Sequence, residues 1–327
     1  MKTGLGRVYS PWACLLVCLT TCFSSGARAA DNYIDSPMYK SPELPVAPRV
    51  VVSFPEKAIG LWLKALERPE ADLKCRAADA IALAHRRGVK GLEVTVGPLH
   101  AALDQADQHP TVLFAVARTL IELDARESAP SLLEQARAST NQLRELVEPA
   151  LVRWDYRPVR DSLLQRLRDP ATQQRSLVRT IQLLATARDG KACERLVELM
   201  RARETAPATR LEAARALGTL RGEGLEKDAE RLASASELPS RLASAALLRS
   251  HRSKEAIQIL LRLAEDPEPA VIATAALPLV ELNPDLLVPA LPRLLSNTDA
   301  KVRGLAVEIL YRRPTEPHLR LLANRLD

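Results

Sequence analysis

Aromatic residues make up only 3% of this chain, and glycine occurs just 12 times in 327 residues. Leu, Ala, Arg and Glu are abundant instead, which is the composition of an all-helical protein. Long apolar runs are missing. The most continuous one, Trp12 to Phe23, is about 12 residues, short of the roughly 20 a membrane-spanning helix needs. A retained transmembrane segment is therefore not expected. A large excess of one charge is also missing. The first 30 residues hold Lys2, Arg7 and Arg28 and no acid, leaving 43 basic and 40 acidic residues in the remainder. A nucleic-acid binder would carry a concentrated basic face, so that class is set aside.

The groups that usually carry chemistry are sparse. His85, His100, His109, His251 and His318 are dispersed, with no His-x-x-x-His pair and no His/Cys cluster, so no metal site is expected. There is no CxxCH haem motif. There is no Gly-x-Ser-x-Gly elbow and no Gly-rich phosphate loop; Gly222 and Gly224 read as turn residues. Neither a catalytic residue nor a cofactor is predicted. Of five cysteines, Cys14, Cys18 and Cys22 fall in the first 30 residues, leaving Cys75 and Cys193. Four repeats separate these two, about 40 Å at roughly 10 Å per step, and a disulfide needs Cα atoms within about 7 Å. They are read as small, mostly apolar core residues.

What is present is a repeat. Apolar helices carrying a small residue recur about every 31 residues: "RLEAARALGTL" (210–220), "RLASAALLR" (241–249), "AVIATAALPLV" (270–280), "KVRGLAVEIL" (301–310). One central position marks the register: Ala78, Ala117, Pro149, Thr180, Ala214, Ala245, Ala276 and Ala306. An apolar residue follows each by three: Ile81, Leu120, Val152, Leu183, Leu217, Leu248, Leu279 and Ile309. This spacing is one face of a 3.6-residue period. The first step, 39 residues, is lengthened by "RRGVKG" (86–91).

Units this small cannot bury their own apolar face, so they must stack. The predicted fold is all-α: an α-solenoid of about eight helix pairs over 55–327. First helices are expected near 55–67, 92–105, 128–138, 158–168, 190–201, 225–233, 254–264 and 285–295. Second helices are expected near 71–87, 109–123, 140–154, 172–187, 207–220, 239–250, 269–282 and 299–312. A last helix over 316–326 would cap the stack. Asp72, Asp266 and Asp299 precede second helices, where a carboxylate can cap free N–H groups. Pro149, Pro278, Pro289 and Pro292 fall inside helical segments and predict kinks.

The N-terminal residues have the form of an export signal, with a basic start, a short apolar core and Ala27-Arg28-Ala29 as a cleavage signature. Residues 1–30 are read as that signal, and a periplasmic or extracellular location, in a bacterium, is the expectation. "LTTC" (19–22) leaves lipidation at Cys22 as a minor alternative. Residues 31–54 contain Pro37, Pro42, Pro45 and Pro48 and read as an extended linker; a docking segment anchored by Tyr33, Tyr39 and Phe54 is the other reading.

The segments "DAKVRGLAVEIL" (299–310), "TRLEAARALGTL" (209–220) and "DLKCRAADAIAL" (72–83) resemble the HEAT-repeat family, in its short, phycobilisome-lyase-type class. Asp299 with Val302-Arg303 matches the family pattern fully. Asp266 is followed by Val271-Ile272, and residues 140–187 match by period alone. The resemblance implies the stacked fold. Such scaffolds host many roles.

Two places stand out as candidate partner-binding sites. "RWDYRPVRD" (153–161) sets Trp154 and Tyr156 among Arg153, Arg157 and Arg160, residue types enriched in binding hot spots; the structural alternative is that Trp154 fills a gap between repeats. Residues 153–188 hold eight arginines against three aspartates, with Arg175 and Arg179 on one helical face; a solvated face of scattered ion pairs is the alternative. Arg76, Arg210, Arg241 and Arg303 also recur ahead of the central small residue, and read as a ladder tying repeats together. The function expected is a non-enzymatic exported scaffold binding another protein, one of acidic character if the cationic patch is used. A polymer- or carbohydrate-binding module, or a lyase-type accessory to chromophore attachment, are the alternatives.

Overall fold

The computed structural model describes residues 54–55, 57–105, 109–139, 141–202 and 204–312. The chain divides into two units, Met1–Pro55 and Glu56–Asp327. Phe54 and Pro55, the described residues of the first, lie in neither helix nor strand. The export signal, nearly all of the Pro-rich segment and the capping helix expected over 316–326 lie outside the described residues.

The second unit is a run of paired helices. The pairs are α1 Ala58–Glu67 with α2 Ala71–Arg86, α3 Val96–Asp104 with α4 Pro110–Glu122, α5 Ala129–Ala138 with α6 Asn141–Arg153, and α7 Arg157–Arg168 with α8 Gln174–Thr186. The run continues with α9 Cys193–Arg201 and α10 Pro207–Leu220, α11 Glu226–Ala233 and α12 Leu238–Leu247, α13 Lys254–Leu263 and α14 Pro269–Leu282, and α15 Leu291–Leu295 and α16 Ala300–Arg312. Four 3-10 turns, Leu92–Thr95, Arg126–Ser128, Gly190–Ala192 and Pro284–Ala290, lead into first helices. Among the described residues there is no strand. The fold is an all-α solenoid.

Each second helix packs on its own first helix and on the second helices before and after it. The buried residues form one core from Leu66 to Leu310. The small-residue register explains the spacing of this row. Ala78, Ala117, Thr180, Ala214, Ala245, Ala276 and Ala306 are buried completely, and the apolar residue three places on is buried in every repeat. At α2 and α4 the approach is close enough for the Thr119 hydroxyl to donate to the Ala78 carbonyl, 2.9 Å away on the neighbouring helix. At α10 and α12 it is closer still: a methyl group on Gly218 would overlap the Ala246 carbonyl oxygen and come within 2.8 Å of that of Leu247.

The helix ends follow from local chemistry. Proline occupies the first turn of α4, α5, α7, α10, α12, α14 and α15, where its missing N–H has no intrahelical acceptor to lose. Asp299 caps α16, accepting from the amides of Lys301 and Val302 at 2.7 and 3.3 Å. Asp266 accepts from the Glu268 amide in the turn before α14. Asp72 lies inside the first turn of α2, where Glu70 is the N-cap residue, so its charge meets the positive end of the helix dipole. After α2, α4, α6 and α8 the chain turns through one left-handed residue, Gly88, Asp124, Asp155 and Arg188 in succession. In each case the next amide reaches back five residues, as Ala125 N–H does to Leu120 and Tyr156 N–H to Leu151, the mark of a Schellman end.

Two expectations need correction. The helix expected over 285–295 is a 3-10 turn through Pro289 followed by the five-residue α15, with Pro292 in its first turn. Pro289 and Pro292 each remove a helical donor within one turn of the other, so the segment breaks into pieces instead of bending. In α6 the central position is not Pro149, which is half-buried, but its neighbour Glu148, which is buried. A carboxylate stands where the other repeats use a small residue or threonine.

Candidate interaction surface

The second-helix row departs from regular stacking between α6 and α8, which touch over less of their length than any other neighbours in the row. Two features account for this, and both lie in α6. The first is Glu148, whose side chain is only 3% exposed. Arg166 of α7 reaches in and donates to both carboxylate oxygens, at 2.7 and 3.1 Å, with the Thr180 hydroxyl 3.5 Å away. The second is Pro149. Lacking an N–H, it leaves the Glu145 carbonyl without its helical partner. Arg179 of α8 donates to that carbonyl, and its guanidinium also lies 3.9 Å from the Glu145 carboxylate.

The gap opens as a cavity of about 600 Å³ between α6, α7 and α8. Arg144, Arg166, Arg175 and Arg179 line it, with Glu145 and Glu148 as the acids and Asn141, Gln142, Thr172, Gln173 and Ser176 around them. Arg166 is committed to Glu148. Arg175 is 89% exposed, 3.5 Å from Glu145. A larger groove of about 1360 Å³ adjoins it and crosses α4 from α2 to α6. Leu113, Phe114, Leu143 and Leu146 give it an apolar floor, Cys75 of α2 meets Thr111 of α4 at its edge, and an ion pair between Asp79 and Arg118 spans α2 and α4. Gln142, Glu145 and Arg179 belong to the walls of both depressions.

The seven residues singled out in the sequence fall in two separate places. Arg175 and Arg179 face the cavity at the start of α8. Arg153, Trp154, Tyr156, Arg157 and Arg160 sit at the opposite end of α6, in the turn to α7, about 12 Å along the helix from Glu145. There Trp154 packs against the core and its indole N–H donates to Asp124, 2.5 Å away in the preceding repeat's turn. Tyr156 also packs on the core. Arg160 donates to Asp155. Arg153 and Arg157 are exposed. Of the arginine ladder, Arg241 is bonded to Asp266 at 2.7 and 3.2 Å. Burial alone would raise the Asp266 carboxyl, but the Arg241 guanidinium and the Glu268 amide outweigh it and hold it below the usual range. Arg210 reaches Glu237 only at 3.9 Å, Arg303 holds the Asn297 and Thr298 carbonyls of its own repeat, and Arg76 is exposed.

The groove floor and the Glu148–Arg166 pair were not among the sequence candidates. The signal for the pair was there: a carboxylate beside a helix-interior proline, in the register of a small residue. Among the described residues no group of three His, Cys, Asp or Glu side chains could hold a metal ion, and no helix is long and apolar enough to cross a membrane. Cys75 and Cys193 are both free thiols, half-buried.

No family model matches the chain, and no curated protein does. Solved structures of similar architecture exist. The complex of CpcE and CpcF of phycocyanin lyase from Nostoc sp. PCC7120 is similar over 81% of this chain and 100% of that one, at 17% identity and a TM-score of 0.41. A chain of the Kap95p–RanGDP complex is similar over 79% of this chain but 36% of its own length, at 13% identity and a TM-score of 0.37. An engineered protein is similar over 77% and 95%, at 17% identity and a TM-score of 0.23. At such scores the assignment of the solenoid rests on the helix pairs of this chain itself.

Proposed function

We propose that this chain is an exported, non-enzymatic scaffold of HEAT-like helix pairs that holds a segment of another protein on its row of second helices. The observation that carries the reading is the groove over α2, α4 and α6. Its floor sets the half-buried Leu113, Phe114 and Leu146 over the buried Leu143, a concave apolar lining of the kind that receives side chains of a docked segment. It spans three repeats, so affinity can accumulate over several helices that a single pair could not supply. Export rests on the signal read in residues 1–30.

The test is site-specific photocrosslinking in the native host. A photoreactive residue at position 114 should give a discrete protein adduct, while one at Gln258, exposed on α13, should give none. Equal adducts at both positions, or none at 114, would overturn the scaffold reading. The mass of the chain recovered from the envelope or medium should begin near residue 30 or 31; an uncut N-terminus would overturn export by cleavage.

A further inference from the structure

The apolar groove and the arginine-lined cavity form one continuous depression, because Gln142, Glu145 and Arg179 wall both. Its two ends differ chemically. At the α4–α6 end the floor is aliphatic and aromatic, and the flanking charges of Asp79 and Arg118 neutralise each other. At the α8 end Arg144, Arg175 and Arg179 share a single carboxylate, Glu145, which lies 3.5 Å from Arg175 and 3.9 Å from Arg179, while Arg144 bonds neutral groups, the Ala136 carbonyl and Asn141, and Arg166 is spent on Glu148. Three guanidinium groups against one carboxylate leave an excess of positive charge concentrated at that end. The α8 N-terminus adds to it: Gln173 makes no side-chain cap there, so first-turn amides present the positive end of the helix dipole.

Resting on the scaffold reading above, we infer that the occupant is an extended protein segment with apolar side chains at one end and at least two carboxylates at the other. The apolar part lies over Phe114 and Leu146; the carboxylates lie among Arg144, Arg175 and Arg179. The length follows from the geometry. From α2 to α8 the depression crosses three helix spacings of about 10 Å each, a span that an extended chain covers with about nine residues. A nucleic acid fits poorly, since its phosphates would run along the whole path while the cations here gather at one end.

The experiment is selection of random dodecapeptides, displayed on phage, against the full chain, followed by synthesis of the most enriched peptide. The expected product has an apolar run followed by Asp or Glu. Charge reversal by Arg175→Glu, at a side chain too exposed to disturb folding, should weaken that peptide about three- to fivefold and leave the circular dichroism spectrum unchanged. Cys75 lines the groove, so bound peptide should slow its alkylation and leave that of Cys193 unaffected, a readout that needs no substitution. Peptides that protect Cys75 but lack acidic residues and ignore Arg175→Glu would overturn the charge inference while the scaffold reading stands. No selected peptide, or selected peptides that leave Cys75 unprotected, would overturn both. Heparin or polyphosphate binding as tightly as the peptide, with the same sensitivity to Arg175→Glu, would overturn the peptide in favour of a polyanion.

Discussion

Arg179 of α8 holds the Glu145 carbonyl, the one that Pro149 leaves without a donor inside α6. A proline defect in one helix is thus repaired by a side chain from the next. The two residues are expected to be coupled. Pro149→Ala restores the helical donor and should stabilise the protein by about 2 kcal/mol, near the helix propensity difference. Arg179→Ala should destabilise by about 1–2 kcal/mol, because it orphans that carbonyl. In the Pro149→Ala background the same change should lose most of its effect. A urea-denaturation double-mutant cycle measures this; strictly additive effects would refute the link.

The Glu148–Arg166 pair makes a second prediction. Arg166→Leu strands a buried carboxylate and should destabilise by about 3 kcal/mol. Replacing both, as Glu148→Leu with Arg166→Leu, removes the desolvated charges together and should recover most of that loss. Thermal denaturation of the single and double variants decides it. A double variant as unstable as the single would show that the pair is held by something other than mutual charge compensation.

Two helix-interior glycines are expected to respond in opposite directions. Gly218→Ala places a methyl against the Ala246 carbonyl at the α10–α12 crossing, and overpacking of this kind costs about 1–3 kcal/mol. Gly304 on α16 has open space around it, so Gly304→Ala should stabilise by about 0.5–1 kcal/mol through helix propensity. Melting temperatures of the two variants should move apart.

His251 sets an acid sensitivity. It is fully buried, and neither ring nitrogen has a hydrogen-bond partner among the described residues. Burial holds the imidazole below its usual range, with Arg252 and Arg221 acting in the same direction and Glu226 and Glu223 against it. In the unfolded chain it takes up a proton near pH 6.5. As pH falls below that value the unfolded state binds the proton first, so stability drops until the folded imidazole also titrates. Melting temperature should therefore fall between pH 7.5 and pH 5.5 by more in the native protein than in His251→Leu. Equal falls would show that other groups carry the effect. The Asp266 carboxylate works in a separate window, its stabilisation being lost only as pH falls below the usual carboxylate value of about 3.9.

Most of the architecture was legible because the row of second helices is specified by one repeated choice. Ala214, Ala245, Ala276 and Ala306 admit a neighbouring backbone, and each repeat states this again. Second-helix limits such as 207–220 and 269–282 coincide with the observed α10 and α14. The chain was least legible where its rule is broken. Residues 140–187 keep the period without the motif, and there a one-residue shift in register hid Glu148 beside Pro149. The unusual composition of "RWDYRPVRD" drew attention to the end of α6 remote from the cavity, where Trp154 donates to Asp124 in the preceding turn and Arg153 and Arg157 stay exposed. Arg175 and Arg179 were visible as a helical pair, but the groove beside them is made by Leu113, Phe114 and Leu146, whose sequence pattern is that of ordinary core. Their partial exposure in the groove over α2, α4 and α6 is set by tertiary packing, which that pattern does not encode.

That parting has a mechanical side. Elsewhere in the row, arginine links such as Arg86–Glu122 are added to a buried contact between small residues, and close-packed interiors compress little. Across α6 and α8 the connection runs through long guanidinium arms, whose geometry yields more readily. The occupant proposed above would set its own carboxylates among these same arms, so filling the depression would also brace the joint between the third and fourth helix pairs.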